Sequence, residues 1–160
     1  MDKLLQIIGT NSQFSNAELA AMLGEPEDYI EAKIREYENK GIIKGYQAVV
    51  NWDAIDDSRH VEALIELKVS PQRETGFEEM AERCMAFEEV ESLYLMAGVF
   101  DFAVIVKGET MQDIAMFVAK KLSTVDGVLS TATHFILRRY KDRGMKLVSE
   151  NSADERSLIL

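Results

Sequence analysis

The sequence predicts an α+β chain in two parts, an N-terminal winged helix-turn-helix and a C-terminal ferredoxin-like βαββαβ α/β sandwich. Three observations predict it. Residues 1–51 place three helical patterns before a short apolar hairpin pattern. From residue 61 the apolar period changes from helical spacing to two. Strand and helix patterns then alternate as two βαβ halves that repeat at roughly 40 residues. The expected domains are 1–51, a polar linker at 52–60, a second domain at 61–143, and a tail at 144–160.

The elements follow in order. Leu4, Leu5, Ile7 and Ile8 form a short helical stripe. In FSNAELAAMLG, Ser15 and Glu18 make a capping box, and Phe14 with Leu19 a hydrophobic staple. Leu19, Met22 and Leu23 form the buried stripe, and Gly24 supplies a left-handed stop. Pro26 suits the first position of a third helix, which buries Ile30, Ile34 and Tyr37 and ends at Gly41. Its opposite face carries Asp28, Ala32, Arg35 and Asn39, flanked by Glu31 and Glu36. IIKGYQAVVN reads as two short strands about a turn near Lys44–Gly45.

Past the linker, Val61, Ala63, Ile65, Leu67 and Val69 alternate with Glu62, Leu64, Glu66 and Lys68, a strand. Thr75 and Glu78 predict a second capping box, opening a helix that buries Phe77, Met80, Ala81, Cys84 and Phe87. VESLYLMA is apolar on both sides and predicts a strand covered on both faces. FDFAVIVK is a third strand. Thr110 and Asp113 cap a helix with the stripe Met111, Ile114, Phe117, Val118 and Leu122. VLSTATHFILRRY is a fourth strand. Helices then cover one sheet face only. The other, holding Leu64, Leu93 and Leu95, needs a partner, and a second copy is the simplest one. The tail shows no clear period.

Composition narrows the function. The 160 residues carry 18 Lys+Arg and 28 Asp+Glu, a net charge of −10. Residues 1–59 hold 6 basic and 11 acidic side chains (6 − 11 = −5), so neither half is basic. Nucleic-acid affinity comes largely from neutralising phosphates, so any DNA contact must rest on local geometry and oligomerisation. No apolar run approaches the roughly 18–20 residues of a membrane span, and the polar N-terminus does not read as a secretory signal. A cytoplasmic protein is expected. A single Cys excludes an internal disulfide framework and a thiolate zinc site. Catalysis finds no support. Cys84 falls on a core stripe, and His60 and His134 are not paired as base or metal ligands. No phosphate-binding glycine loop or nucleophile elbow is present. No cofactor and no metal is expected.

Two regions can bind. The third helix occupies the place of a recognition helix. Glu27, Asp28 and Glu31 crowd the end that would approach DNA, where a carboxylate can accept from cytosine but repels phosphates. Lys33, Arg35, Lys40 and Lys44 are the cations at hand. A helical module for protein contact is the alternative. The second region is the turn Leu95-Met96-Ala97-Gly98-Val99-Phe100-Asp101. Gly98 lets backbone approach a ligand, and Asp101 could hold an ammonium. Thr131 and Thr133 point one way from the fourth strand and could orient a polar ligand. A tight turn, a turn cap and two strand-forming threonines explain these residues equally well.

The runs FSNAELAAMLG, ENKGIIKGYQAVVN, MAGVFDFAVIVKG and STATHF together resemble the Lrp/AsnC family, the leucine- and asparagine-responsive feast/famine regulators, over residues 1 to about 143. The resemblance implies a transcriptional regulator that binds double-stranded DNA and forms homodimers that assemble to octamers. It also implies an amino-acid effector bound between dimers at the G-x-[YF]-D turn. Gly98, Val99, Phe100 and Asp101 carry over directly. Leu95, Met96 and Ala97 would line the pocket, with Thr131 and Thr133 at the effector's polar end. Gln13, Asp28, Tyr29, Ala32, Lys33, Arg35, Glu36 and Lys44 are the expected DNA-contact positions. The chain departs from many relatives at Gln13, where they have Arg, and at Pro26–Asp28, where they have Ser or Thr. An amino-acid sensor that has lost DNA binding, or a partner of a related regulator, is the rival expectation. Apolar pocket residues lean towards an apolar effector. Asp101→Ala is expected to remove the response and spare the fold.

Overall fold

The computed structural model describes residues 2–56, 59–70 and 76–148. The chain divides into two compact units, one of Met1–Val50 with the stretch that begins at Lys141, the other of Asn51–Tyr140.

In the first unit, α1 spans Lys3–Thr10, α2 Asn16–Leu23 and α3 Glu27–Asn39. Local chemistry sets each boundary. Asp2 caps α1 by accepting from the Leu5 amide. The Ser15–Glu18 capping box forms, and Gly24 ends α2 at φ 70°. Leu4, Leu19, Ala20 and Ile30 are buried together, with Phe14, Leu23, Ile34 and Tyr37 packed round them. The Tyr37 hydroxyl donates to Asp2 at 2.6 Å, tying α3 to the start of α1. That bond, and after it the Leu5 amide, holds the Asp2 carboxyl below its usual range.

Three expectations fail here. Met22 is 52% exposed, because Ala20 rather than Met22 turns inward beside Leu19. Pro26 is the N-cap at ψ 146°, one residue before the helix. Residues 44–50 hold no paired strand. The strand pairing in this unit lies later in the chain, where β5 (Lys141–Asp142) pairs antiparallel with β6 (Met145–Lys146). Arg143 Nη1 donates to Gln47 Oε1 at 2.9 Å, bonding that hairpin to the segment expected to form the wing. Residues 141–143 therefore group with the first unit, not with the domain expected to end at 143.

The second unit runs β1 (Val61–Val69), α4 (Gly76–Met85), β2 (Val90–Leu95), β3 (Phe102–Gly108), α5 (Met111–Lys120) and β4 (Val128–Phe135). The sheet order is β2-β3-β1-β4, all antiparallel. Period-two alternation sends Ala63, Ile65, Leu67 and Val69 into one core with Met80, Cys84, Val104, Ile114 and Phe117. The Thr110–Asp113 capping box forms, whereas Met111 is exposed. The box expected at Thr75 lies outside the described residues, as does the tail from residue 149.

Strand β2 corrects the reading of VESLYLMA. It is an edge strand, of which Leu93 packs against the core while Tyr94 and Leu95 are each 56% exposed. Its register shifts between Val90 and Ser92. An extra residue flips every later side chain to the other face. Leu93 therefore pairs with Val104 on the helix side and packs against the core, not on the open face. The open face carries Leu64 opposite Ile105, Glu66 opposite Ala103, and Glu62 opposite Lys107.

Candidate nucleic-acid and effector sites

Helix α3 forms because its apolar residues fall on one stripe, which leaves Asp28, Tyr29, Ala32 and Arg35 exposed. Its thirteen residues hold five carboxylates and two cations, 2 − 5 = −3. Neither cation is free. Lys33 Nζ lies 2.9 Å from Glu36, and Arg35 Nη2 lies 2.5 Å from Glu31. Lys40 Nζ takes the other Glu36 oxygen at 2.6 Å. Hydrogen bonds from Lys33 and Lys40 pull the Glu36 carboxyl down to about 2. Lys33 is half-buried, its ammonium 6.0 Å from the Tyr29 and Tyr37 ring centres. Gln13 is exposed, its backbone N–H donating to Asn11 Oδ1. Lys44 is exposed and folds across Gly41, where an added Cβ would meet its Nζ at 2.7 Å. The expected DNA positions thus share one unit, but Lys33 and Glu36 first serve each other, and Arg35 serves Glu31.

The second candidate site is the turn between β2 and β3. Three bonds fix it. The Met96 amide donates to the Asp101 carbonyl at 2.7 Å, and the Asp101 amide donates to the Leu67 carbonyl at 2.9 Å. The Asp101 carboxylate accepts from the Val69 amide at 2.8 Å. Asp101 therefore clamps the turn to the end of β1, a role its spacing did not reveal. Met96, Ala97, Gly98 and Val99 are left exposed, with Phe100 half-buried. The register puts Leu95, Phe102, Leu67 and Thr131 in one row across the sheet. Thr131 thus lies two strands from the start of β3, about 10 Å away at the usual strand spacing. Thr133 pairs with Ile65, one pleat further from the turn.

Sequence reasoning missed a polar cluster beside the open sheet face. Glu62 is 9% exposed and accepts from His60 Nε2 at 2.7 Å and from Arg139. His60 stacks on Trp52 at 4.8 Å between ring centres. His60 stands two residues from Glu62 and was legible as a neighbour, but Arg139, which closes the cluster, is brought in only by the fold. Among the described residues no group of three or more His, Cys, Asp or Glu could hold a metal, and no helix is long and apolar enough to cross a membrane.

A helical N-terminal unit and an antiparallel sheet unit whose turn is pinned yet exposed thus offer two candidate binding surfaces. Residues 62–145 match the family model for the Lrp/AsnC ligand binding domain. An uncharacterised HTH-type transcriptional regulator of Bacillus subtilis, YugG, is 41% identical over 158 residues, covering 99% of this chain and 94% of its own. The leucine-responsive regulatory protein of Haemophilus influenzae is 26% identical, covering 87% and 82%. A Neisseria meningitidis transcriptional regulator solved with L-methionine shares the fold at a TM-score of 0.69 and 21% identity, over 89% of this chain and 93% of the other. The chain belongs to the Lrp/AsnC family.

Proposed function

We propose that the chain is a sequence-specific, DNA-binding transcriptional regulator that responds to a small amino acid through oligomer assembly. In this reading the first unit is the winged helix-turn-helix, and α3 presents Asp28, Tyr29, Ala32 and Arg35 to duplex DNA, helped by Gln13 and Lys44. Lys33 and Glu36 hold the helix surface in one arrangement. The effector sits at the turn Leu95–Asp101. The freed amides near Gly98 face its carboxylate, the Asp101 carboxylate its ammonium, and Thr131 with Thr133 its polar end. Met96, Val99 and Phe100 favour an apolar side chain. A second copy covers the open sheet face, and dimers assemble further to octamers in the cytoplasm.

The observation that carries this reading is the turn itself, pinned by three hydrogen bonds yet exposed along Met96–Val99, inside the segment that matches the ligand binding domain. An effector with different affinity for two assembly states shifts their populations, and with them the spacing of paired α3 helices. A second reading, a sensor that does not bind DNA, is favoured by one observation: every cation on α3 already has a carboxylate partner.

Both are tested by titrating purified protein onto its own promoter DNA at two salt concentrations, with and without each amino acid. Salt-sensitive binding altered by one amino acid supports the regulator. A folded oligomer that ignores DNA at low salt supports the sensor. Arg35→Ala weakens binding if α3 reads the DNA; equal affinity removes Arg35 from the interface.

A further inference from the structure

We propose that the hairpin Lys141–Lys146 is a second DNA-contacting element, which supplies the phosphate-binding cations that α3 lacks; this rests on the DNA-binding reading above. A protein that binds DNA must neutralise phosphates. Helix α3 carries a net −3 and spends its cations on its own carboxylates. The hairpin KDRGMK has three cations and one carboxylate, net +2 in a chain of net −10. Among the described residues, no carboxylate forms an ion pair with Lys44, Lys141, Arg143 or Lys146.

Two features of the hairpin work against its own stability, and both gather charge. Lys141 and Lys146 are direct cross-strand partners. Like charges placed so repel one another. A phosphate between them turns that repulsion into a binding site. At the tip, Arg143 takes φ 43° and Gly144 φ 85°. Two positive φ values in a two-residue loop make a type I′ turn, whose first position favours Asn, Asp or Gly. Here a guanidinium stands at the tip instead, on a backbone that a β-carbon disfavours. The Arg143–Gln47 bond anchors the hairpin beside the segment that carries Lys44, and Lys44 and Arg143 line one groove of about 550 Å³. The occupant that fits this cluster of cations is the backbone of duplex DNA, a phosphate-directed contact indifferent to sequence.

The test uses the full chain and a labelled promoter duplex, with affinity measured by fluorescence anisotropy from about 50 to 200 mM salt. Wild type is compared with the triple variant Lys141→Gln, Arg143→Gln, Lys146→Gln, and with Gln47→Ala, which breaks the anchor and keeps the charge. The triple variant should lower the log–log salt slope by about 2–3, at about 0.9 per phosphate contact. It should weaken promoter and unrelated DNA by the same factor, about tenfold or more at low salt. Gln47→Ala should keep the wild-type slope. Should the triple variant fail to fold, the single variants, each worth about 0.9 in slope, carry the test. Wild-type binding with an unchanged slope in the triple and single charge variants overturns the hairpin proposal and leaves DNA binding standing. A loss confined to one sequence overturns it also. Wild type that ignores DNA at low salt overturns the DNA reading, and the hairpin proposal with it.

Discussion

Asp101 does two things at once, and two substitutions separate them. Its carboxylate accepts from the Val69 amide at 2.8 Å and closes the end of β1. Asp101→Ala leaves that amide without a partner in a half-buried place. A hydrogen bond to a charged group contributes about 1.5–3 kcal/mol, and the partial exposure selects about 1.5–2 kcal/mol of that range. With a urea slope of about 1.5 kcal/mol per M, the midpoint falls by about 1 M. Asp101→Asn keeps an acceptor oxygen and should fall by no more than about 0.5 M on the same slope. The assay is built in: the single tryptophan, Trp52, lies in the same unit as Asp101, so its fluorescence follows that unit alone. The asparagine variant should nevertheless lose the amino-acid response, because an amide cannot hold an ammonium as a carboxylate does. The expectation that Asp101→Ala spares the fold is thereby revised. An alanine variant whose midpoint matches wild type would refute the clamp. Equal losses for alanine and asparagine would show that charge, not the acceptor oxygen, holds β1.

The remaining predictions concern single contacts. The Glu36 carboxyl sits at about 2 against an ordinary 4.5, so its contribution is complete above about 4.5 and disappears as pH falls towards 2. Urea melts of wild type and Glu36→Gln followed by helix circular dichroism should therefore differ at pH 6 and converge near pH 2. Burial pushes the Cys84 thiol up, and the side chain is fully enclosed. A thiol reagent should leave the native protein unlabelled and label it on unfolding, and Cys84→Ser should cost about 1–3 kcal/mol. Glu62→Ala strands Arg139 and frees His60, which should cost about 2–4 kcal/mol and shift Trp52 fluorescence even in the folded state. Unchanged emission and stability would remove the cluster from any structural role.

Much of the fold was legible where one residue decides one event. Ser15 with Glu18, Thr110 with Asp113, and Gly24 each mark a helix boundary by a local bond or a local φ, and all three fall where the sequence put them. The period-two run at Val61–Val69 fixed its own inward face. Leu93 was not legible, because the register shift in β2 reverses the alternation and nothing in VESLYL marks the extra residue. The hairpin at Lys141–Lys146 was missed because Arg-Gly is a poor type I′ signal, and the Arg143–Gln47 bond that anchors it spans 96 residues. At the candidate sites, residue types could be read but not their commitments. Lys33 and Arg35 looked like free cations until the helix brought Glu36 and Glu31 beside them. Asp101 looked like a ligand group, and its bond to Val69 needed the fold.

The first unit is built from both ends of the described chain, with Asn51–Tyr140 inserted between its parts. Synthesis is vectorial, so the three helices leave the ribosome first and must wait for their hairpin. Ninety residues separate Val50 from Lys141. At roughly 5–20 residues per second that interval is roughly 5–18 s, during which the whole sheet unit is made, its last strand β4 ending at Phe135. The nascent chain therefore has every strand of its sheet half before its helical half is whole, and a transcript cut short after Tyr140 yields a product with all four sheet strands and without the basic hairpin.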